Sequence, residues 1–339
     1  MDPKVTKQLI SNSTKPLLLR NLLKWPIMQW SLENWTEALK EEKMIFRCGY
    51  FKKSKCPQWE GNTEFVHGDI TYFIKHLDDK DKWLYFDYKH LQEHLRNVKG
   101  IRDSIDWAPL GFPEIKLEDS TIWIGSKGAH TPCHIDTYGF NLVHQIYGRK
   151  LWLLFPPDEN LHPTRVPYEE SSIFSKLNFF SPSIEDFKNV GNCQKVILNP
   201  ADVLVVPHRW WHYVENIETA ISINTWVPMD EDNNERLEES IVQFLVKLMI
   251  NSDAADDIIR KVMLNPNVED AETTVYPCYT PSQLEIRQTI CLRKKWPLIT
   301  PRRLLSTCRE YCRSRFEHRV VLAILMSNRM KKLNFCCNN

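Results

Sequence analysis

The stretch Ala129-His130-Thr131-Pro132-Cys133-His134-Ile135-Asp136 concentrates side chains able to ligate a metal. On an extended strand successive side chains alternate between faces, so His134 and Asp136 project from the same face about 7 Å apart and can share one ligand. A second imidazole, His212, comes much later, in Pro207-His208-Arg209-Trp210-Trp211-His212, directly after the apolar strand predicted over residues 203–206. Two imidazoles and one carboxylate on one side of an octahedron leave open positions for dioxygen and an organic acid, which is the chemistry of non-haem iron(II) sites. A His-x-Asp triplet also arises by chance in a chain with 11 histidines, so it needs support from elsewhere.

That support is Lys150. It opens Lys150-Leu151-Trp152-Leu153-Leu154-Phe155-Pro156-Pro157, a run so apolar that both faces of the strand must be largely buried. A lysine there is costly unless an anion meets it. Two anions fit: an Asp or Glu of the chain, in a structural salt bridge, or the distal carboxylate of 2-oxoglutarate with its keto-acid end on the metal.

The elements that must position these residues are short. Strand-type runs are predicted over residues 121–125, 141–146, 150–155, 195–198, 203–206 and 220–227, punctuated by Gly, Pro and Asn, which suggests a barrel or sandwich. Ahead of them, Pro16-Leu17-Leu18-Leu19 reads as a buried strand, residues 31–42 as a helix capped by Ser31 with Asn34 in its first turn, and residues 82–88 as a further strand. After Pro228 the apolar period changes to 3.6, with Leu237, Ile241, Phe244, Leu245, Leu248 and Met249 on one face of a helix beginning near Glu231. The organisation expected is an α/β lead-in over 1–84, a β core over 85–230, a helical region over 231–290 and a basic helical tail over 291–339.

Composition excludes several classes. Forty-four basic against 43 acidic residues give +1, so no whole-molecule field argues for nucleic acid or membrane, and no DNA partner is expected. No uncharged apolar run approaches the roughly 18 residues of a spanning helix. The first 24 residues contain five cations and no clean apolar stretch for a secretory signal, and ten scattered cysteines then read as free thiols in a reducing compartment, cytoplasmic with the nucleus also open. Cys308 and Cys312, like Cys336 and Cys337, lack the paired CxxC spacing of structural zinc. The charge is regional: residues 293–332 hold 12 Lys or Arg and two Glu, +10 against −9 for the rest. A solvated basic helix on the barrel's edge is the ordinary reading of that tail, a partner-binding or membrane-surface helix the sharper one.

Residues 85–230 resemble the JmjC domain of Fe(II)/2-oxoglutarate oxygenases. The likeness is carried by Trp123-Ile124-Gly125-Ser126 through His134, by Asn141-Leu142-Val143, by Gly148-Arg149-Lys150 and by Tyr168-Glu169-Glu170-Ser171-Ser172. Within the family it is similar to the subgroup that includes the asparaginyl hydroxylase of hypoxia-inducible factor and to members that partner a 27-kDa small heat-shock protein. The resemblance implies a mainly β fold with flanking helices, a double-stranded β-helix or cupin-like barrel followed by a helical C-terminal region. It assigns iron to His134, Asp136 and His212, and the distal carboxylate of 2-oxoglutarate to Lys150 and Thr131. Asn141 and Asn224 match polar positions beside the co-substrate, although a cross-strand hydrogen bond explains Asn224 equally well. Trp226 matches an aromatic at the barrel mouth. Tyr85 matches a tyrosine that reaches the same carboxylate, and taken alone it reads as a core tyrosine.

The cofactors implied are Fe(II), 2-oxoglutarate as co-substrate and O2. The activity implied is hydroxylation of a protein side chain, with lysine demethylation and a non-catalytic adaptor for a small heat-shock protein as alternatives. Homodimerisation through C-terminal helices is a further expectation. Two departures from the family pattern stand out. One extra residue separates His134 from Asn141 relative to the hypoxia-factor hydroxylase, and Pro200-Ala201-Asp202 replaces the usual Pro-Gly turn. A type II turn there would hold Ala201 at positive φ at a cost of roughly 1 kcal/mol.

Overall fold

Period-2 alternation on the central strands separates an apolar core from a polar interior. In the strand Ala220–Val227, Ile221, Ile223 and Val227 join a large apolar cluster, whereas Ser222, Asn224 and Trp226 face a cavity on the other side. The same division occurs along Ser120–Gly125, where Ile122 and Ile124 enter the core and Trp123 the cavity. The computed structural model describes residues 2–60, 63–165, 172–230 and 232–250, with side chains described as far as residue 242. Part of the Tyr168 motif, the helical region beyond residue 250, the basic tail and the four C-terminal cysteines named above lie outside the described residues.

Fourteen strands are described: β1 (Leu17–Arg20), β2 (Met44–Tyr50), β3 (Glu64–Gly68), β4 (Lys82–His90), β5 (Ser120–Gly125), β6 (His130–Asp136), β7 (Phe140–Tyr147), β8 (Lys150–Phe155), β9 (Pro163–Thr164), β10 (Ser172–Ser175), β11 (Gln194–Leu198), β12 (Asp202–Val206), β13 (Trp211–Asn216) and β14 (Ala220–Val227). They form two antiparallel sheets, one ordered β1-β12-β7-β14-β5-β4-β2-β3 and the other β11-β8-β13-β6-β10-β9. This is a mainly β, cupin-like architecture with flanking helices. The N-terminal residues extend the larger sheet: β1 pairs with β12 and β2 with β4, so strand β4 runs across residues 84 and 85. Between the sheets Trp152, Leu154, Leu204, Val206 and Val214 pack together. On the larger sheet's other face Trp25, Trp35, Phe46 and Trp107 anchor the helices.

Local signals account for the flanks. The helix Leu32–Leu39 begins at a capping box in which Ser31 and Asn34 satisfy each other's backbone N–H groups. The helix Asp232–Ile250 follows β14, and no described helix is long and apolar enough to cross a membrane. Cys48, Cys133 and Cys193 are free thiols.

The turn before β12 has the strain expected of it. Ala201 sits at φ 77° and Asp202 N–H donates to the Asn199 carbonyl at 3.0 Å. A left-handed non-glycine residue costs about 1–2 kcal/mol, and glycine returns part of that through its freer unfolded chain. Ala201→Gly is therefore expected to stabilise the protein by about 0.5–1 kcal/mol, raising the thermal midpoint by about 1–3 °C. A calorimetric scan showing a lower midpoint would contradict this.

Candidate metal centre and acid pocket

β6 and β13 are neighbours, and a register shift on β13 between His212 and Val214 sets His212 directly opposite His134. Their rings lie 4.2 Å apart between centroids. Asp136, two residues on from His134, presents one carboxylate oxygen 3.5 Å from His134 Nε2 and the other 3.7 Å from His212 Nε2. The three donor atoms all lie within 4.8 Å of one another.

The outer nitrogens fix the tautomers. His134 Nδ1 donates to the Pro132 carbonyl and His212 Nδ1 to the Trp210 carbonyl, each at 2.9 Å. A carbonyl can only accept, so Nδ1 carries the hydrogen, and in the neutral tautomer the lone pair lies on Nε2, the nitrogen turned to Asp136. Burial pushes His212 down to about 4, which keeps that lone pair free at neutral pH. Burial opposes ionisation of Asp136, but the charge that His212 and His134 carry in acid, together with the Trp226 indole N–H at 2.9 Å, holds its carboxyl well below the usual carboxylate range. Two imidazole nitrogens and a carboxylate converging on one point are a donor set that fits a divalent transition metal such as Fe(II).

All eight residues singled out from the sequence line one pocket. Lys150 lies at one end, 1% exposed, with Nζ donating to Ser222 Oγ at 2.7 Å and Tyr85 Oη at 3.2 Å. Both partners are neutral. The acid that acts on it electrostatically, Asp87, is engaged at 2.6 Å by buried Arg47, so the internal salt bridge open to Lys150 on sequence grounds is not formed among the described residues. Burial, partly offset by Asp87, pushes the Lys150 ammonium down to about 7. Thr131 hydrogen-bonds to the Tyr85 phenol, which burial keeps protonated. Three hydroxyls and an ammonium thus gather where a carboxylate would be neutralised.

The side wall is an amide chain. Asn224 Nδ2 donates to Asn141 Oδ1 at 2.9 Å across β14 and β7, and Trp123 Nε1 donates to Asn224 Oδ1 at 2.7 Å. The cross-strand bond anticipated for Asn224 is therefore made, while both amides still face the cavity. Ser222 escaped the sequence reading, yet stepping back two residues from Asn224 on the same strand would have found it. Trp123 stands out in the sequence only as part of a motif, and the same alternation from Gly125 points it inward. Trp210 and Trp211 are wall residues, 5% and 3% exposed.

A second group, His208, Asp232 and Glu235, also brings its donor atoms within 4.8 Å of one another. Its charges are already met: Asp232 accepts from the Gly139 and Met229 backbones at 2.8 and 2.9 Å, and Arg209 donates to Glu235 at 3.2 Å. With Arg236 3.9 Å from Asp232, this group is a latch. It ties the first turns of the helix Asp232–Ile250 to the turn after Asp136 and the turn before His212.

Two antiparallel sheets around such a pocket define the cupin-like class of protein. A family model described as a cupin-like domain matches residues 4–233, and the chain belongs to this family, whose JmjC members include iron- and 2-oxoglutarate-dependent oxygenases and demethylases. It is 36% identical over 297 residues to human HSPB1-associated protein 1, covering 82% of this chain and 60% of that protein. The zebrafish (Danio rerio) HSPB1-associated protein 1 homolog is 35% identical over 275 residues, 75% of this chain and 61% of that one. Lysine-specific demethylase 8 of Xenopus tropicalis is 26% identical over 220 residues, 62% of this chain and 48% of that one. The chain spans about three fifths of the length of the HSPB1-associated proteins it matches.

Proposed function

We propose that the chain is an Fe(II)- and 2-oxoglutarate-dependent oxygenase that hydroxylates a side chain of a protein substrate. One observation carries this reading: a cavity with a two-imidazole, one-carboxylate donor set also holds a buried lysine whose polar contacts are neutral. An acid with a chelating end and a distal carboxylate answers both features at once. Bound by His134, Asp136 and His212, iron(II) supplies the dioxygen chemistry that side chains lack, with 2-oxoglutarate as the reductant.

The chain's own residues bind and orient. His134 and His212 offer Nε2 lone pairs in fixed tautomers, and Asp136 brings one negative charge, held in place by Trp226. Lys150 neutralises the distal carboxylate, with Tyr85, Thr131 and Ser222 as hydroxyl partners. Val143, Trp152 and Val214 line the same cavity with apolar surface and exclude water from around the charged groups.

A second reading, a non-catalytic adaptor, draws on the name of the HSPB1-associated relatives and places a small heat-shock protein as partner. Lysine demethylation draws on the name of the Xenopus relative in the same way. The oxygenase reading is preferred because a barrel relieved of catalysis could exchange buried Lys150 and the ligand set for apolar residues at no loss of stability. The test is succinate release by purified protein with 2-oxoglutarate, O2 and Fe(II). Iron-dependent succinate above the iron-free background is expected, and release no greater than that background would favour the adaptor.

A further inference from the structure

Below the acid pocket lies a residue that the proposed chemistry does not yet use. On β13, His212 and Val214 face the cavity, and alternation carries the next inward position to Asn216. Asn216 is paired in register with Lys150 on β8, and directly opposed residues project from the same face of a sheet. Its side chain is fully buried, yet neither Oδ1 nor Nδ2 has a hydrogen-bond partner. A buried amide left in that state is costly, because it has given up its water partners and gained none. Leucine has nearly the same size and would fill the space without that cost.

The neighbour that explains the amide is Gly125 on β5, opposite Tyr85 on β4. Gly125 is not among the glycines at positive φ, so space rather than backbone conformation calls for glycine there. A Cβ at that position would lie 2.4 Å from Asn216 Nδ2 and 2.7 Å from Tyr85 Cδ2. The amide and the edge of the phenol ring therefore converge on one notch in the strand, with the hydroxyl of that ring accepting from Lys150 at 3.2 Å.

We propose that Asn216 is a positioning residue of the acid pocket: with Gly125 it seats the Tyr85 ring from below, so that the phenol hydroxyl meets both Lys150 and the incoming carboxylate. The amide makes no hydrogen bond there, and its effect lies in filling the space beside the ring and so in orientation. The inference rests on the reading of the pocket as a 2-oxoglutarate site.

The test is calorimetric titration of 2-oxoglutarate into Mn(II)-loaded wild-type protein and Asn216→Leu, alongside thermal unfolding of both without ligand. The variant is expected to bind about tenfold more weakly, with a thermal midpoint unchanged or higher because an unmet buried amide has been removed. In turnover the loss should fall on KM for 2-oxoglutarate more than on kcat. A merely structural residue would lower the midpoint and leave the surviving folded protein's affinity intact, and that result would overturn the proposal, as would equal binding and equal midpoints. Should Asn216→Leu not fold, Asn216→Ala serves with the same expected loss of affinity. Wild-type protein that binds no 2-oxoglutarate would overturn the parent reading and this one together, whereas binding retained by both proteins would overturn this one alone.

Discussion

Asp136→Ala is expected to bring iron-dependent succinate release down to the iron-free background and to weaken metal binding by well over 100-fold. The scale comes from a comparison within the site. Trp226, whose indole N–H holds one Asp136 oxygen at 2.9 Å, is an outer partner, and losing such a partner typically costs 10–100-fold in metal affinity. Asp136 is the charged donor itself, the only carboxylate in the cluster with His134 and His212, so its loss must exceed that range. His134→Ala should match it. Asp136→Asn separates ligation from folding, because the amide oxygen still accepts from Trp226 while the negative charge is gone. Its unfolding midpoint without metal should stay near that of wild type, and its affinity for Mn(II), a redox-stable stand-in, should fall with that of the alanine variant. Mn(II) binding to Asp136→Ala at wild-type strength would remove this triad as the metal centre.

How much of this could be read from residues alone depends on how far apart in the chain the partners lie. His134 and Asp136 are two residues apart, so strand periodicity places them together without further knowledge. The strands β8, β12 and β14 are apolar enough to stand out, and the capping box at Ser31 is wholly local. β2 is different: Arg47 interrupts its apolar pattern, and it is tolerated in the buried sheet because Asp87, 40 residues later on β4, accepts its Nε–H. β9 is two residues long with a proline, and no pattern marks it. In the pocket, a lysine on an apolar strand could be flagged as costly, but its neutral partners Tyr85 and Ser222 lie 65 and 72 residues away. Only tertiary structure decides that an internal carboxylate does not reach it. The orphaned amide of Asn216 has no local signature at all.

Lys150→Met is expected to have two effects of opposite sign, and together they isolate the acid pocket. Binding of 2-oxoglutarate should weaken by about 2–5 kcal/mol, roughly 30-fold or more, since the variant leaves a carboxylate in a buried pocket without its counter-charge. The unliganded protein should become more stable at pH 7 or below, by about 1–4 kcal/mol, because an ammonium fully buried against neutral groups has been replaced by an apolar side chain of similar length. The sign follows from linkage. The folded-state value, about 7, lies below the ordinary lysine value of 10.5, so between those pH values the unfolded chain binds more protons and wild-type stability rises with pH. The stabilisation in Lys150→Met should accordingly be largest below pH 7 and fade towards 10.5. Ligand binding runs the other way, because only the ammonium meets a carboxylate well. Above pH 7 the wild-type protein must take up a proton to bind, about half a proton at pH 7 and close to one at pH 8, and its apparent affinity should fall as pH rises. Calorimetry in two buffers of different ionisation heat measures that uptake directly. Proton uptake of zero at pH 8 would mean that the ammonium is already charged in the empty pocket, whereas wild-type affinity for 2-oxoglutarate in Lys150→Met would mean that Lys150 does not hold the acid.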